Sequence, residues 1–374
     1  MRRYLYQTAK MKLKEIIDYL ESIYPLAYQE SYDNSGLICG NEEMNISSAL
    51  ICIDSTEDVI NEAIKKKCNL IIAHHPIIFS GIKKITGKTY IERVLIKAIQ
   101  NNIAIYAIHT NADNVIQGVN SKICEKLGLT NCKILSPKSN LLRKLITFCP
   151  VEKAAKVRQA LFPASAGNIG NYDECSFNTE GTGTFRASEN TNPHVGKKGQ
   201  QHHEKEVKIE VIYPSHIENK ILKALFTAHP YEEVAYDIVP LENAHNQVGS
   251  GMIGELEKAM IETDFLKKVK SVMKTDCIKH TKLLNKKIKK VAVCGGSGSF
   301  LLKDAISAGA DIFITSDFKY HQFFDAENKL VIADVGHYES EQFTKELFYD
   351  VLNKKFTTFA LHLSKINTNP VNYI

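Results

Sequence analysis

His74, His75, Asp113, His337 and Glu341 lie far apart in the chain, yet together they offer the donor set of a transition-metal site. Each falls where an apolar run with strand character stops. Imidazole and carboxylate donors suit a divalent ion such as zinc, manganese or iron. Five donors exceed what one four-coordinate ion needs. The surplus points to two ions sharing a carboxylate, an arrangement that splits bonds with an activated water.

The local spacing bears on each residue. His74-His75-Pro76 follows the apolar run Leu70–Ala73. Adjacent residues of a continuing strand point to opposite faces, so the pair can converge only if the chain breaks. Pro76 supplies the break. The plainer reading is one buried structural histidine beside an exposed one. His337 and Glu341 are four apart at a strand-to-helix junction, which puts both on one helical face. Here the plainer reading is a helix start, with Glu341 complementing the dipole. Asp113 closes the turn 109–114, where it could equally make turn bonds. His109 is a candidate catalytic or orienting group beside the ligands. His321 follows another strand end and is a candidate proton donor or acceptor, against the reading of a surface residue at a helix start. The turn Cys294–Ser299 (CGGSGS) is either a phosphate-cradling loop without the P-loop lysine or a tight strand-to-helix turn. His202-His203 and His229 read as incidental to the site.

These residues need a scaffold. The chain has 374 residues with 44% hydrophobic content, enough for two or three cores. Residues 11–144 alternate strand-like and helix-like segments, the pattern of a parallel α/β sheet, in which function gathers at the carboxyl ends of strands. Residues 145–248 change character to strand, helix, strand, helix, strand, with a further strand expected near 174–177. This predicts an inserted ferredoxin-like α+β module. The polar stretch 181–206 lacks periodicity and is predicted to be a mobile loop. Residues 249–374 resume the α/β pattern. The fold class expected is therefore α/β, two interleaved halves forming one metal-binding unit, split by the α+β insertion.

Composition removes other classes. A net charge of +5 is too mild to argue for nucleic acid. Nine cysteines, odd in number and without a CxxC pair, read as reduced thiols of a cytoplasmic protein. No run of about 18 apolar residues predicts a membrane span. The basic stretch ahead of Met11 lacks a signal core, and Met11 is a candidate start because amphipathic helix character begins there.

Several motifs together resemble the GTP cyclohydrolase 1 type 2 homolog family, also called Nif-three-like proteins. They are DNSGLICG (33–40), AHHPIIF (73–79), HTNAD (109–113), VAVCGGSGSF (291–300), ITSDFKYH (314–321) and GHYESEQ (336–342). A common family form of the first motif has Val where this chain has Ser35. The resemblance implies a dinuclear centre at His74, His75, Asp113, His337 and Glu341. It implies two divalent ions per subunit, zinc first, with iron, manganese or magnesium as alternatives. It also implies a homohexamer with the sites facing an internal cavity, and a small-molecule substrate, a nucleotide such as GTP among the candidates. HPYEEVAYDI (229–238) resembles the PII/CutA-like insertion of a family subset. The expected function is metal-dependent hydrolysis. The alternative is a metal-organised hexameric binding or regulatory protein without turnover.

Overall fold

The structure, a computed structural model, describes residues 11–374. The stretch ahead of Met11, and with it the question of the start, lies outside the described residues. The chain divides into two compact units. One runs up to Ser136 and resumes at Val248, and the other is Pro137–Gln247. The second unit thus begins ahead of Leu145, where the sequence changes character.

The first unit contains two main sheets. One has five strands, in the order Ala360–Leu363, Ser48–Cys52, Leu70–Ala73, Ala104–Ala107 and Gly36–Cys39. All neighbours are parallel except the last pair. Strands Ser48–Cys52, Leu70–Ala73 and Ala104–Ala107 are buried throughout. That explains their unbroken apolar sequence, since a parallel sheet is covered on both faces. The crossover helix Glu57–Lys66 shows why the chain turns where it does. Thr56 caps it by accepting from the Val59 amide, acidic residues fill its first turn and lysines its last, and Lys67 ends it in the left-handed region. Its buried Val59, Ile60 and Ala63 pack with Leu50, Ile71 and Val94 in one core.

The second sheet has six strands, in the order Lys279–His280, Val331–Asp334, Ile312–Ser316, Lys287–Ser297, His245–Ile261 and Leu129–Lys138. Its parallel centre packs Ala292, Phe313 and Ile332 into a separate core. The two halves of the sequence exchange strands. The late strand Ala360–Leu363 joins the first sheet, and the early strand Leu129–Lys138 joins the second.

The second unit has the order strand, helix, strand, strand, helix, strand: Leu142–Pro150, Ala154–Leu161, Phe177–Arg186, Gln201–Pro214, Glu218–Ala228 and Tyr236–Leu241. The sheet is antiparallel, with the last strand beside the first, then the third, then the second. Two expectations are corrected here. The extra strand starts at Phe177, so 174–176 lie outside it. Most of the polar stretch 181–206 is a hairpin, with Phe177–Arg186 paired to Gln201–Glu210. Its sequence hid the strands because both of its faces are largely solvent-exposed there, so polar residues and glycines occupy positions that a core would fill. His202 and His203 accordingly sit in a strand, not a loop.

No helix among the described residues is long and apolar enough to cross a membrane. All nine cysteines are free thiols.

Candidate metal centre

The carboxyl ends of the strands in both sheets of the first unit open on one cavity of about 580 Å³, lined in part by His75, His109, Asp113, His337 and Glu341. His74 lies directly behind it, fully buried. The strand Leu70–Ala73 stops before the pair, and the His75 amide donates to the Ile53 carbonyl (2.9 Å). The bend lets both rings converge, with their centroids 4.9 Å apart. Asp113 ends the short helix Thr110–Asp113. His337 and Glu341 bound the helix His337–Glu341, and both line the cavity, Glu341 buried and His337 partly exposed.

Glu341 is the hub. Its Oε1 lies 3.6 Å from His74 Nε2, while Oε2 lies 2.9 Å from His75 Nε2 and 3.1 Å from His337 Nε2. Asp113 Oδ1 is 3.8 Å from His74 Nε2. Gly296 makes room for this hub. Its φ is +62°, and a Cβ there would stand 2.3 Å from Glu341 Oε1. The pairing of Lys287–Ser297 with Ile312–Ser316 slips between Val293 and Ser297, which brings this glycine to the carboxylate. The Gly295 and Gly296 amides donate to Asn120 Oδ1 and Ser340 Oγ, both at 2.9 Å. These two amides are therefore committed within the protein. The glycine turn serves close approach to Glu341, not a phosphate cradle at those positions.

The imidazoles are fixed from behind. His74 Nδ1 donates to the Ile108 carbonyl (2.8 Å), so Nε2 is the nitrogen left to face the site. His75 Nδ1 donates to Asp54 (2.7 Å), His337 Nδ1 to Asp317 (2.7 Å) and His109 Nδ1 to Asp33 (2.7 Å). Carboxylates that hold the outer nitrogen are a regular companion of metal-ligating histidines. Asp54 is itself bonded by Thr368, Asp317 by Ser297 and Asp33 by Thr110. Ser35 donates to Asp33 (3.0 Å) and accepts from the His109 amide (3.3 Å).

The donor set fits a divalent cation. His74 Nε2 and Asp113 Oδ1 are both buried without a hydrogen-bond partner. Oxygens of Asp113 and Glu341 flank His74 Nε2 at 3.8 and 3.6 Å, and a lone pair there would be repelled unless a positive charge lay between them. Among the described residues His74, His75 and Glu341 each bring one ligand atom within metal-site spacing, and Asp113 and His337 fall outside that group. Without metal, protons supply the charge. Burial pulls the His75 imidazole down, but Glu341 and Asp54 outweigh it and raise it to about 10. Burial likewise opposes the rise at His337, which Glu341 and Asp317 bring to about 11. Burial pushes Glu341 up, yet His75, His74 and His337 hold it well below the usual carboxylate range. Asp113 goes the other way, raised by burial and by the Glu341 charge.

His321 is not brought to this cavity. It is exposed on the 3₁₀ segment Tyr320–Ala326, with its ring against Tyr320 and Phe324. The reason is Asp317, whose φ of +60° reverses the chain just after the strand. Asp317, not His321, is the residue that this strand end delivers to the site. Asp33 and Asp54 were also missed. Asp54 lies just beyond a buried strand, as the histidines do, whereas Asp33 precedes the half-buried strand Gly36–Cys39, whose antiparallel run brings its start to this end of the sheet.

Asp54→Asn and Asp317→Asn are each expected to weaken metal affinity roughly 10- to 100-fold by freeing the ring behind a ligand. Competition against a chromogenic chelator would measure this. Unchanged affinity in both would remove the orienting role.

A model of the family described as Duf34/NIF3 (NGG1p interacting factor 3) matches residues 11–370. The GTP cyclohydrolase 1 type 2 homolog of Halalkalibacterium halodurans is 38% identical over 364 residues, covering 96% of this chain and 98% of that protein. The homolog of the same description from Bacillus subtilis is 35% identical over 367 residues, covering 96% and 98%. Among solved structures, a Bacillus cereus protein related to NIF3 matches with a TM-score of 0.85 at 38% identity, covering 97% of this chain and 99% of that one. HcgD from Methanocaldococcus jannaschii matches with a TM-score of 0.57 at 19% identity and shares the fold.

Proposed function

The chain belongs to the Duf34/NIF3 family, and on that premise we propose that it is a metal-dependent hydrolase of small nucleotides or related phosphoesters. In this reading two divalent ions, zinc first and iron, manganese or magnesium as alternatives, are held by His74, His75, Asp113, His337 and Glu341. The observation that carries it is the buried, unpartnered pair His74 Nε2 and Asp113 Oδ1 facing the Glu341 carboxylate. When bound, such ions supply Lewis acidity and acidify water.

The protein's own residues do the rest. Glu341 turns one oxygen to His74 and the other to His75 and His337, as a shared ligand must. His109 has its Nδ1 tied to Asp33, and its ring stands 5.4 Å from both His74 and His75. In this reading it would move a proton to or from a leaving group. Tyr32, Phe79, Tyr90 and Phe300 are exposed rings around the same cavity. They favour a substrate with a planar ring, which supports a nucleotide. The relatives' name points to GTP, with hydrolysis of the purine imidazole ring as the reaction it suggests.

The reading extends to a homohexamer in a cytoplasmic setting and to a PII/CutA-like second unit. Family membership supports the first, the free thiols the second, and the strand order of the second unit the third. The second unit has a cavity of its own, which favours one further reading, a regulatory protein without turnover. Metal analysis of the purified protein, joined to a nucleotide and phosphoester hydrolysis panel, tests the choice. The expected result is stoichiometric divalent metal and turnover of a panel member. Full metal occupancy with no turnover across the panel would leave the regulatory reading standing.

Metal uptake is also expected to release protons. His75 and His337 are protonated in the metal-free site at neutral pH, and each must give up its Nε2 proton to coordinate. Apparent affinity should therefore rise with pH until these rings lose their protons, at about 10 and about 11. Calorimetry in buffers of different ionisation enthalpy would count the protons. Uptake without proton release contradicts the assignment of these two rings.

A further inference from the structure

The second unit holds a cavity of about 520 Å³ formed without any residue of the metal centre. Its floor is the sheet face opposite the core. Val207, Ile209, Val211 and Tyr213 point into that core, so by strand alternation Glu206 points the other way. On the paired strand, Gly181 and Gly183 share that outward face, opposite Glu206 and Glu204. Glycine within a strand often marks the close approach of another group. A Cβ at Gly183 would stand 2.1 Å from Glu206 Oε2, so this glycine seats the carboxylate. A Cβ at Gly181 would meet nothing within 4 Å, so this glycine leaves the cavity open.

The walls are aromatic and held in place. The Tyr231 hydroxyl donates to Glu206 Oε1 (2.8 Å), and its ring faces Phe185 at 6.3 Å and His194 at 6.2 Å between centroids. Buried His229 donates from Nε2 to the Phe148 carbonyl (2.9 Å) and accepts from the Tyr231 amide at Nδ1 (3.2 Å). Both nitrogens are used, and burial lowers its tendency to charge, so it serves as a fixed neutral brace for Tyr231. The Asn192 amide donates to Glu232 Oε1 (2.8 Å), which ties the hairpin loop to the turn that carries Tyr231.

From this geometry we propose that the cavity is a binding site for a small organic cation, an ammonium or N-alkylated amine. Glu206, Glu232 and Glu233 line it against the single guanidinium of Arg186, so its charge balance favours a cation. Ring faces attract a cation, and aromatic cages are a recurrent answer to alkylated ammonium groups. The volume suits a ligand of metabolite size. A metal ion is the poorer match, because among the described residues only His74, His75 and Glu341 converge at metal-ligand spacing.

The test is calorimetric titration of the full chain with choline, tetramethylammonium and putrescine, and with 3,3-dimethylbutan-1-ol as the neutral isostere of choline. The expected result is saturable binding of at least one cation, with the neutral isostere at least tenfold weaker than choline if choline is the cation bound. Gly181→Leu should fill the open space, and Glu206→Gln should remove the countercharge. Each should weaken cation binding at least tenfold while metal uptake at His74 and Glu341 is unchanged. No saturable binding of any cation, equal binding of the neutral isostere, or binding indifferent to both substitutions overturns the proposal. Because Glu206→Gln preserves shape, it remains decisive if the leucine variant fails to fold. The proposal does not depend on hydrolysis at the metal centre.

Discussion

Glu341→Gln is expected to strip the centre of metal and to lower any hydrolytic turnover by roughly a thousandfold or more, since such sites supply several kcal/mol of charge stabilisation. The amide keeps the volume of the carboxylate but cannot neutralise a cation from both oxygens. Three imidazoles face this one side chain, His74 at 3.6 Å, His75 at 2.9 Å and His337 at 3.1 Å. Its loss removes the attraction that raises His75 to about 10 and His337 to about 11, so both rings should titrate at lower pH. The linkage has a definite sign. A histidine raised in the folded state contributes stability that is complete below its unfolded value and is lost as pH climbs through the folded one. For the metal-free protein, that window runs from about 6.5 to about 11. The variant should therefore lose stability relative to the parent at neutral pH, and the difference should close toward pH 11. Elemental analysis, NMR titration of the imidazoles and urea melts across pH would record these effects. A glutamine variant with full metal content would refute the hub assignment.

Asp113→Asn should do two opposite things. It should abolish tight metal binding, yet make the metal-free protein more stable by about 1–3 kcal/mol, the usual penalty of a buried unsatisfied charged or polar group. The Asp113 side chain is 20% exposed, but its Oδ1 is buried without a partner and faces Glu341 across the His74 ring nitrogen. Burial and the like charge of Glu341 raise its pKa. A carboxyl raised on folding is a stability cost that grows as pH rises above the ordinary carboxylate value and levels off above the folded one. The gain from asparagine should thus be largest at mildly alkaline pH and shrink as pH falls. Denaturation of chelator-treated parent and variant at pH 8 and pH 5 compares the two ends. A destabilised variant at pH 8 would mean that the carboxylate is satisfied in the metal-free protein. Such a trade between function and stability is common at active sites.

The parts of this site that the sequence revealed are those where one chemical type is rare at the end of a buried strand. A histidine pair after Leu70–Ala73 and a His–Glu pair four apart at a helix start stood out, although each also had a plain structural reading. The carboxylates behind the rings were harder to read, because Asp is common at strand ends and in turns for its own backbone bonds. Asp54, Asp317 and Asp33 became distinguishable only when their oxygens were found on ring nitrogens. His321 misled because the reversal at Asp317 is a backbone event with no glycine to announce it. The hairpin of the second unit was hidden for a related reason. A strand region with solvent on both faces carries no apolar alternation, and its glycines resemble those of a loop.

The exchange of strands between the two halves has a consequence for biosynthesis. His75 and Glu341 are 266 residues apart, and Ala360–Leu363, which finishes the first sheet, is synthesised after every other strand of that sheet. Contacts of such long range close late. A nascent chain therefore carries its histidine pair through the synthesis of 266 further residues before Glu341 can complete the cage. Any ion bound at this site would then be selected by the finished pocket, not by whichever cation meets the growing polypeptide first.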